Sequence, residues 1–263
     1  MKKKDEIAHF DKEWEDMKTH LKSFLNDERQ EDLHHFRVQV KKLYAFLILA
    51  DSAKRHPELI KLFKPIRTVF KKAGEIRNAY LNLELGKAHQ KQMDEFLIAQ
   101  HELLNKAIAA FKLDKDKHLE KIKRAYKKLV EKITPVDDIH ISLFYINHLE
   151  HIAGSLAELK FNDELHDSRT LVKNLIYNHK LVHAKLAVEF NEDYLQDIQT
   201  AIGDWHDNID AITLFSGDGV MDKQTVTNLK KQDIKYKSNI KLLVKDFYNR
   251  ATTAVETLVE QVS

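Results

Sequence analysis

His34, Arg37 and Lys41 follow one another at spacings of three and four residues in "LHHFRVQVKK", residues 33–42. His166, Arg169 and Lys173 repeat the pattern in "LHDSRTLVKN", residues 165–174. A helix turns roughly 100° per residue, so each trio shares one narrow stripe, and Tyr177 extends the second stripe by a turn. Like charges stacked so closely repel unless something negative lies opposite. Arginine offers a planar fork of donors, lysine a mobile point charge, and protonated histidine two further donors. Together they suit phosphate oxygens.

A second pattern lies downstream of each trio. Lys64, Arg67, Lys71, Gly74 and Asn78 form another helical stripe with Arg77 at its edge, and Gln196, Gln199, Gly203 and His206 are the counterpart. "AGEIRN" (73–78) thereby aligns with "IGDWHD" (202–207), Arg77 taking the position of His206. Glycine inside a helix costs about 1 kcal/mol against alanine. The cost is tolerated where another helix or a ligand must come close. If each glycine helix crosses its histidine helix at the glycine, basic stripes face each other. Two motifs in the same order, the first recurring after 132 positions and the second after 129, indicate an internal duplication.

The elements that must position these residues are helical. The chain has 263 residues, 43% of them hydrophobic, with only 6 Gly and 3 Pro, so long helices with few connections are expected. Apolar residues recur at helical spacing over about 4–25, 28–52, 57–88, 90–112, 115–133, 138–159, 162–187, 191–216 and 222–261. Pro65 should kink or restart the third helix. No stretch alternates like a strand. The expected architecture is all-α: two helical halves, 1–134 and 135–263, joined near Pro135.

Composition narrows the chemistry. Lys and Arg number 43 against 41 Asp and Glu, a formal charge of +2, so a polyanion partner must be argued from local arrangement. There is no cysteine, which excludes disulfides, thiolate metal sites and cysteine nucleophiles. No strong nucleophile, paired carboxylate, "GxxxxGK[ST]" or "GxGxxG" accompanies the basic stripes. No catalytic residue, resident metal or cofactor is therefore expected. The polar start and the lack of any run near ~18 apolar residues argue for a cytoplasmic protein and against a membrane partner. Phe36, Tyr44 and Tyr177 interleave with the basic residues as a single-stranded nucleic-acid site would need, but core packing is their expected role, which disfavours nucleic acid. Cations spread over several helical turns fit a flexible, multivalent polyanion better than one small phosphate.

At these residues the chain resembles the conserved histidine α-helical domain family, CHAD. The family pattern places an arginine three residues after a histidine and basic residues seven to ten after it, here "HHFRVQVKKLY" and "HDSRTLVKNLIY". Its second signature, roughly "LGxxRD", is similar to "AGEIRN" and "IGDWHD". The resemblance covers about residues 1–262. It implies an all-α fold of two pseudo-symmetric four-helix bundles of long antiparallel helices, with a basic central surface that binds inorganic polyphosphate, in a module some of whose relatives associate with polyphosphate or polyester granules. The implied contacts are His34, Arg37, Lys41, Lys42, Arg67, Lys71, Arg77, His166, Arg169, Lys173, Tyr177 and His206, on a cleft between the two halves, with Gly74 and Gly203 permitting close helix crossing. Tyr44 and Ile176 stand where relatives usually carry a further arginine, and Asn78 where they carry aspartate.

Two other readings compete. His166-Asp167 and His206-Asp207 resemble the "HD" pairs of metal-dependent helical phosphohydrolases, with His140, His148, His151 and His179 as conceivable further ligands. Alternatively, internal carboxylates close the basic stripes and the protein is a helical interaction scaffold.

Overall fold

A computed structural model describes residues 3–88, 94–217 and 223–252. Among these residues there are eleven α-helices, one short 3-10 turn and no strand. The protein is all-α, as its periodicity requires. The first long helix, α1 (Lys3–Asp27), buries Phe10, Trp14, Met17, Leu21 and Phe24. The second, α2 (Gln30–Ser52), buries Leu33, Phe36, Val40, Leu43 and Leu47. Both sets step by three and four residues, so each helix has one apolar stripe, and the two stripes close on each other. That burial fixes which side of α2 remains for His34, Arg37 and Lys41.

Glu28 takes φ 57° in the two-residue turn between α1 and α2. After α2 the expected single helix over 57–88 is two: α3 (Leu59–Leu62) and α4 (Lys64–Ala88). Pro65 is the reason, since it sits in the first turn of α4, where its missing N–H costs nothing. Asp51, 4% exposed, accepts from the backbone N–H groups of Glu58 at 3.3 Å and Ile60 at 3.1 Å and so starts α3. α5 (Asp94–Leu113) and α6 (Lys115–Lys132) follow, and Phe111 packs against His118 with ring centroids 4.5 Å apart.

α7 (Asp138–Ala157) and α8 (Asp163–Val182) form the next antiparallel pair, tied by the buried Tyr145 hydroxyl donating to the Leu175 carbonyl at 2.8 Å. Asn162 caps α8 by accepting from the Glu164 N–H at 3.1 Å, which sets the first turn ahead of His166. α9 (Glu192–Ser216) is continuous, and Trp205 on it donates to Asp233 at 3.0 Å. The expected helix over 222–261 is interrupted: α10 (Lys223–Leu243) stops at a turn where Asp246 has φ 53°, and α11 (Phe247–Thr252) resumes. The Leu243 carbonyl left open there accepts from Tyr194 at 2.7 Å and Arg250 at 2.9 Å. The parts of the expected helices at 90–93, 222 and 253–261 lie outside the described residues.

Backbone contacts group the chain into two compact units. The first is Met1–Asp137 with Asp210–Lys230, and the second is Asp138–Ile209 with Lys231–Ser263. The last turns of α9 thus belong by contact to the first unit, where Ala211 and Phe215 share a cluster with Phe96 and Leu229.

Candidate anion site

In the first unit, α2 lies against α4 at Gly74. The Arg37 guanidinium donates through Nη1 to the Phe70 carbonyl at 2.9 Å and lies over the Phe70 ring, 4.2 Å from its centroid. A Cβ on Gly74 would stand 2.7 Å from Arg37 Nη1. Glycine therefore leaves open the space that the arginine occupies. Burial and the nearby Arg77 pull the Arg37 guanidinium below its usual range, which for arginine still leaves it charged.

The second unit repeats this clasp. Arg169 on α8 donates through Nε to the Gln199 carbonyl of α9 at 2.9 Å. A Cβ on Gly203 would stand 2.5 Å from Arg169 Nη2. In both units the accepting carbonyl is four residues before the glycine. Among the described residues neither Arg37 nor Arg169 has a carboxylate within 4.0 Å. Each is held by backbone and keeps its positive charge uncompensated at short range.

Around Arg37 the field is cationic. His34 is held below the ordinary histidine value first by burial, then by Arg77, His35, Lys41 and Arg37. Arg77 stacks over Tyr80 at 5.2 Å. Arg67 reaches from α4 to the Tyr44 ring of α2 at 5.1 Å, so the tyrosine standing in a usual arginine place serves as a platform for another arginine. Arg67 and Lys71 also line a surface groove of about 340 Å³ with Ile60, Lys61, Lys64 and Thr68. Lys42 is placed differently: its ammonium lies 3.6 Å from the buried Glu13 of α1.

Around Arg169 the field is mixed. His166 and His206 bring their rings to 5.0 Å. His166 is lowered by burial, then by His206 and Arg169, against Asp167 and Asp163, which raise it. Lys173 is lowered by burial and Arg169 while Asp207 holds it up, and its ammonium lies 5.8 Å from the Tyr177 ring centroid. Burial pushes the Tyr177 hydroxyl up, so it stays a neutral donor.

The expected residues thus assemble as clasps: His34, Arg37 and Arg77 in the first unit, and His166, Arg169, Lys173 and His206 in the second. Sequence reasoning passed over Phe70 and Tyr80, the aromatic seats of two arginines, and Lys61 on the groove. The register was available for Phe70, which precedes Gly74 by one helical turn.

The chain is thus all-α, and each unit seats one arginine against a helical glycine. The CHAD domain family model matches residues 8–216, from α1 to the end of α9, and the chain belongs to that family. The match is shorter than the expected 1–262, so α10 and α11 lie beyond it. No curated protein sequence matches the chain. Among the described residues no helix is long and apolar enough to cross a membrane.

Proposed function

We propose that this chain is a non-catalytic module that binds a polyanion, and that inorganic polyphosphate is the ligand its chemistry fits. The observation that carries the reading is the repeated clasp. Arg37 and Arg169 are each fixed by a backbone carbonyl rather than a carboxylate, with donors left over for phosphate oxygens. Neutral backbone anchoring orients a guanidinium without spending its charge. The scaffold reading requires the opposite, arginines locked to Asp or Glu.

The contacts assigned to the anion are His34, Arg37, Lys41, Arg67, Lys71 and Arg77 in the first unit and His166, Arg169, Lys173, Tyr177 and His206 in the second. Lys42 contributes to the local potential rather than directly, because Glu13 engages it. Two sites on one chain favour a long ligand by effective concentration. The duplicated clasp supports descent of the two units from one repeated helical element. A cytoplasmic protein at polyphosphate or polyester granules is the setting this reading suggests.

The test is calorimetric titration of the full chain with long-chain polyphosphate at low salt. The reading requires measurable affinity that falls with added salt. No heat and no affinity at low salt would overturn it.

A further inference from the structure

The two copies of the clasp differ in what surrounds them. In the first, the charged groups acting on His34 are Arg77, His35, Lys41 and Arg37, all cationic or neutral. In the second, Asp163 and Asp167 act on His166 and Asp207 acts on Lys173. The positions aligned with Arg77, Asn78 and Leu81 are His206, Asp207 and Asp210. One arginine and two uncharged residues have become an imidazole and two carboxylates.

These three side chains converge. One donor atom each from His206, Asp207 and Asp210 lies within 4.8 Å of the others, on consecutive turns of the continuous helix α9. Ligand atoms around an ion with bonds of about 2.0–2.2 Å sit roughly 3–4.5 Å apart, so small side-chain adjustments bring all three onto one ion. His166, whose ring is 5.0 Å from that of His206, stands beside them as a further imidazole. Asp207 and Asp210 are exposed and His206 is half-buried, which leaves part of the coordination sphere open.

We propose that His206, Asp207 and Asp210 form a binding site for a divalent first-row transition ion, with zinc the best match to one imidazole and two carboxylates. Mixed nitrogen and oxygen donors suit such an ion better than magnesium or calcium, which prefer oxygen alone. Arg169 and Lys173 oppose a cation here. The two ligand carboxylates, Asp207 and Asp210, match them in number, and Asp163 and Asp167 act on the adjoining His166. The ion solves a local conflict, because a polyanion on the second clasp would otherwise meet these carboxylates. With the ion in place, phosphate oxygens fill its open positions. That bridging role rests on the polyphosphate reading; the ion's binding does not.

The experiment is calorimetric titration of chelator-stripped full-length chain with zinc chloride alone, for wild type, His34→Ala and Asp207→Asn/Asp210→Asn. One ion per chain is expected in wild type and in His34→Ala, and the double variant should bind at least about tenfold more weakly. Both variants should keep the wild-type circular dichroism spectrum, since the altered side chains project from helix surfaces. Absence of stoichiometric zinc binding in wild type overturns the site. So does an unchanged isotherm in the double variant, or an equal loss in His34→Ala. A second titration, with polyphosphate in zinc and in chelator, isolates the bridging. Zinc should raise affinity several-fold in wild type and not in the double variant. Zinc binding without that gain refutes bridging and leaves the ion site standing.

Discussion

Arg37 occupies the volume that a side chain at residue 74 would fill: a Cβ there would lie 2.7 Å from its Nη1, while the same nitrogen donates to the Phe70 carbonyl at 2.9 Å. Glycine and arginine are thus one functional unit. Gly74→Ala should displace the guanidinium rather than break the helix, because the clashing atom ends a flexible side chain. Alanine's helix propensity, worth about 1 kcal/mol, roughly offsets the lost hydrogen bond of similar size. Thermal unfolding should move by no more than a few degrees. Polyphosphate affinity should fall about as far as in Arg37→Ala. Melting curves and titrations on the two variants check both statements.

Proton linkage follows from His34 and His166, both held below the ordinary histidine value in the free protein. A bound phosphate chain stabilises the imidazolium forms and raises both. Binding therefore takes up protons, and affinity should rise roughly three- to tenfold from pH 7.5 to pH 5.5. Ligand-free stability runs the other way. A histidine depressed by folding contributes stability that is complete above its unfolded value and lost as pH falls below it. The melting shift caused by polyphosphate should consequently grow as pH falls, measurable by scanning fluorimetry across that range.

Salt dependence counts the contacts. If Arg77 touches the ligand, Arg77→Ala should reduce the slope of log affinity against log salt by about 0.7, the value for one contact on a single-stranded polyanion. Lys42→Ala should leave the slope near wild type, because Glu13 engages that ammonium at 3.6 Å. Titrations at four salt concentrations separate the two.

One prediction concerns the scaffold. His118 is 1% exposed, its two ring nitrogens have no hydrogen-bond partner, and burial followed by Lys72 lowers its value. A buried polar group without a partner costs about 1–3 kcal/mol. His118→Leu should therefore stabilise the protein by roughly 1 kcal/mol at pH 7.5. The gain should be larger at pH 5.5, where the unfolded chain's histidine takes up a proton. Denaturant unfolding at the two values gives the comparison.

The helical class and the residues of the two stripes were legible because helical period places His34 with Arg37 and because glycine inside a helix is expensive, whereas the seating of an arginine beside each glycine was not. The restart at Pro65 was legible from proline's missing N–H. The break at Asp246 was not, since an aspartate with φ 53° carries no strong local signal. The diversion of Lys42 was also hidden, because it depends on the buried Glu13 of a different helix. The mixed field of the second site depended on Asp207 of α9 acting on Lys173 of α8, a meeting that only the packing of the two helices supplies.

The most direct measurement is the polyphosphate affinity of Arg37→Ala/Arg169→Ala beside that of Arg29→Ala/Arg124→Ala, two exposed arginines paired with Asp32 and Glu120. Removing the clasp arginines should abolish binding at near-physiological salt while the control pair binds like wild type. Equal binding by the clasp variant and wild type would contradict two backbone-held guanidiniums as the anion's anchors.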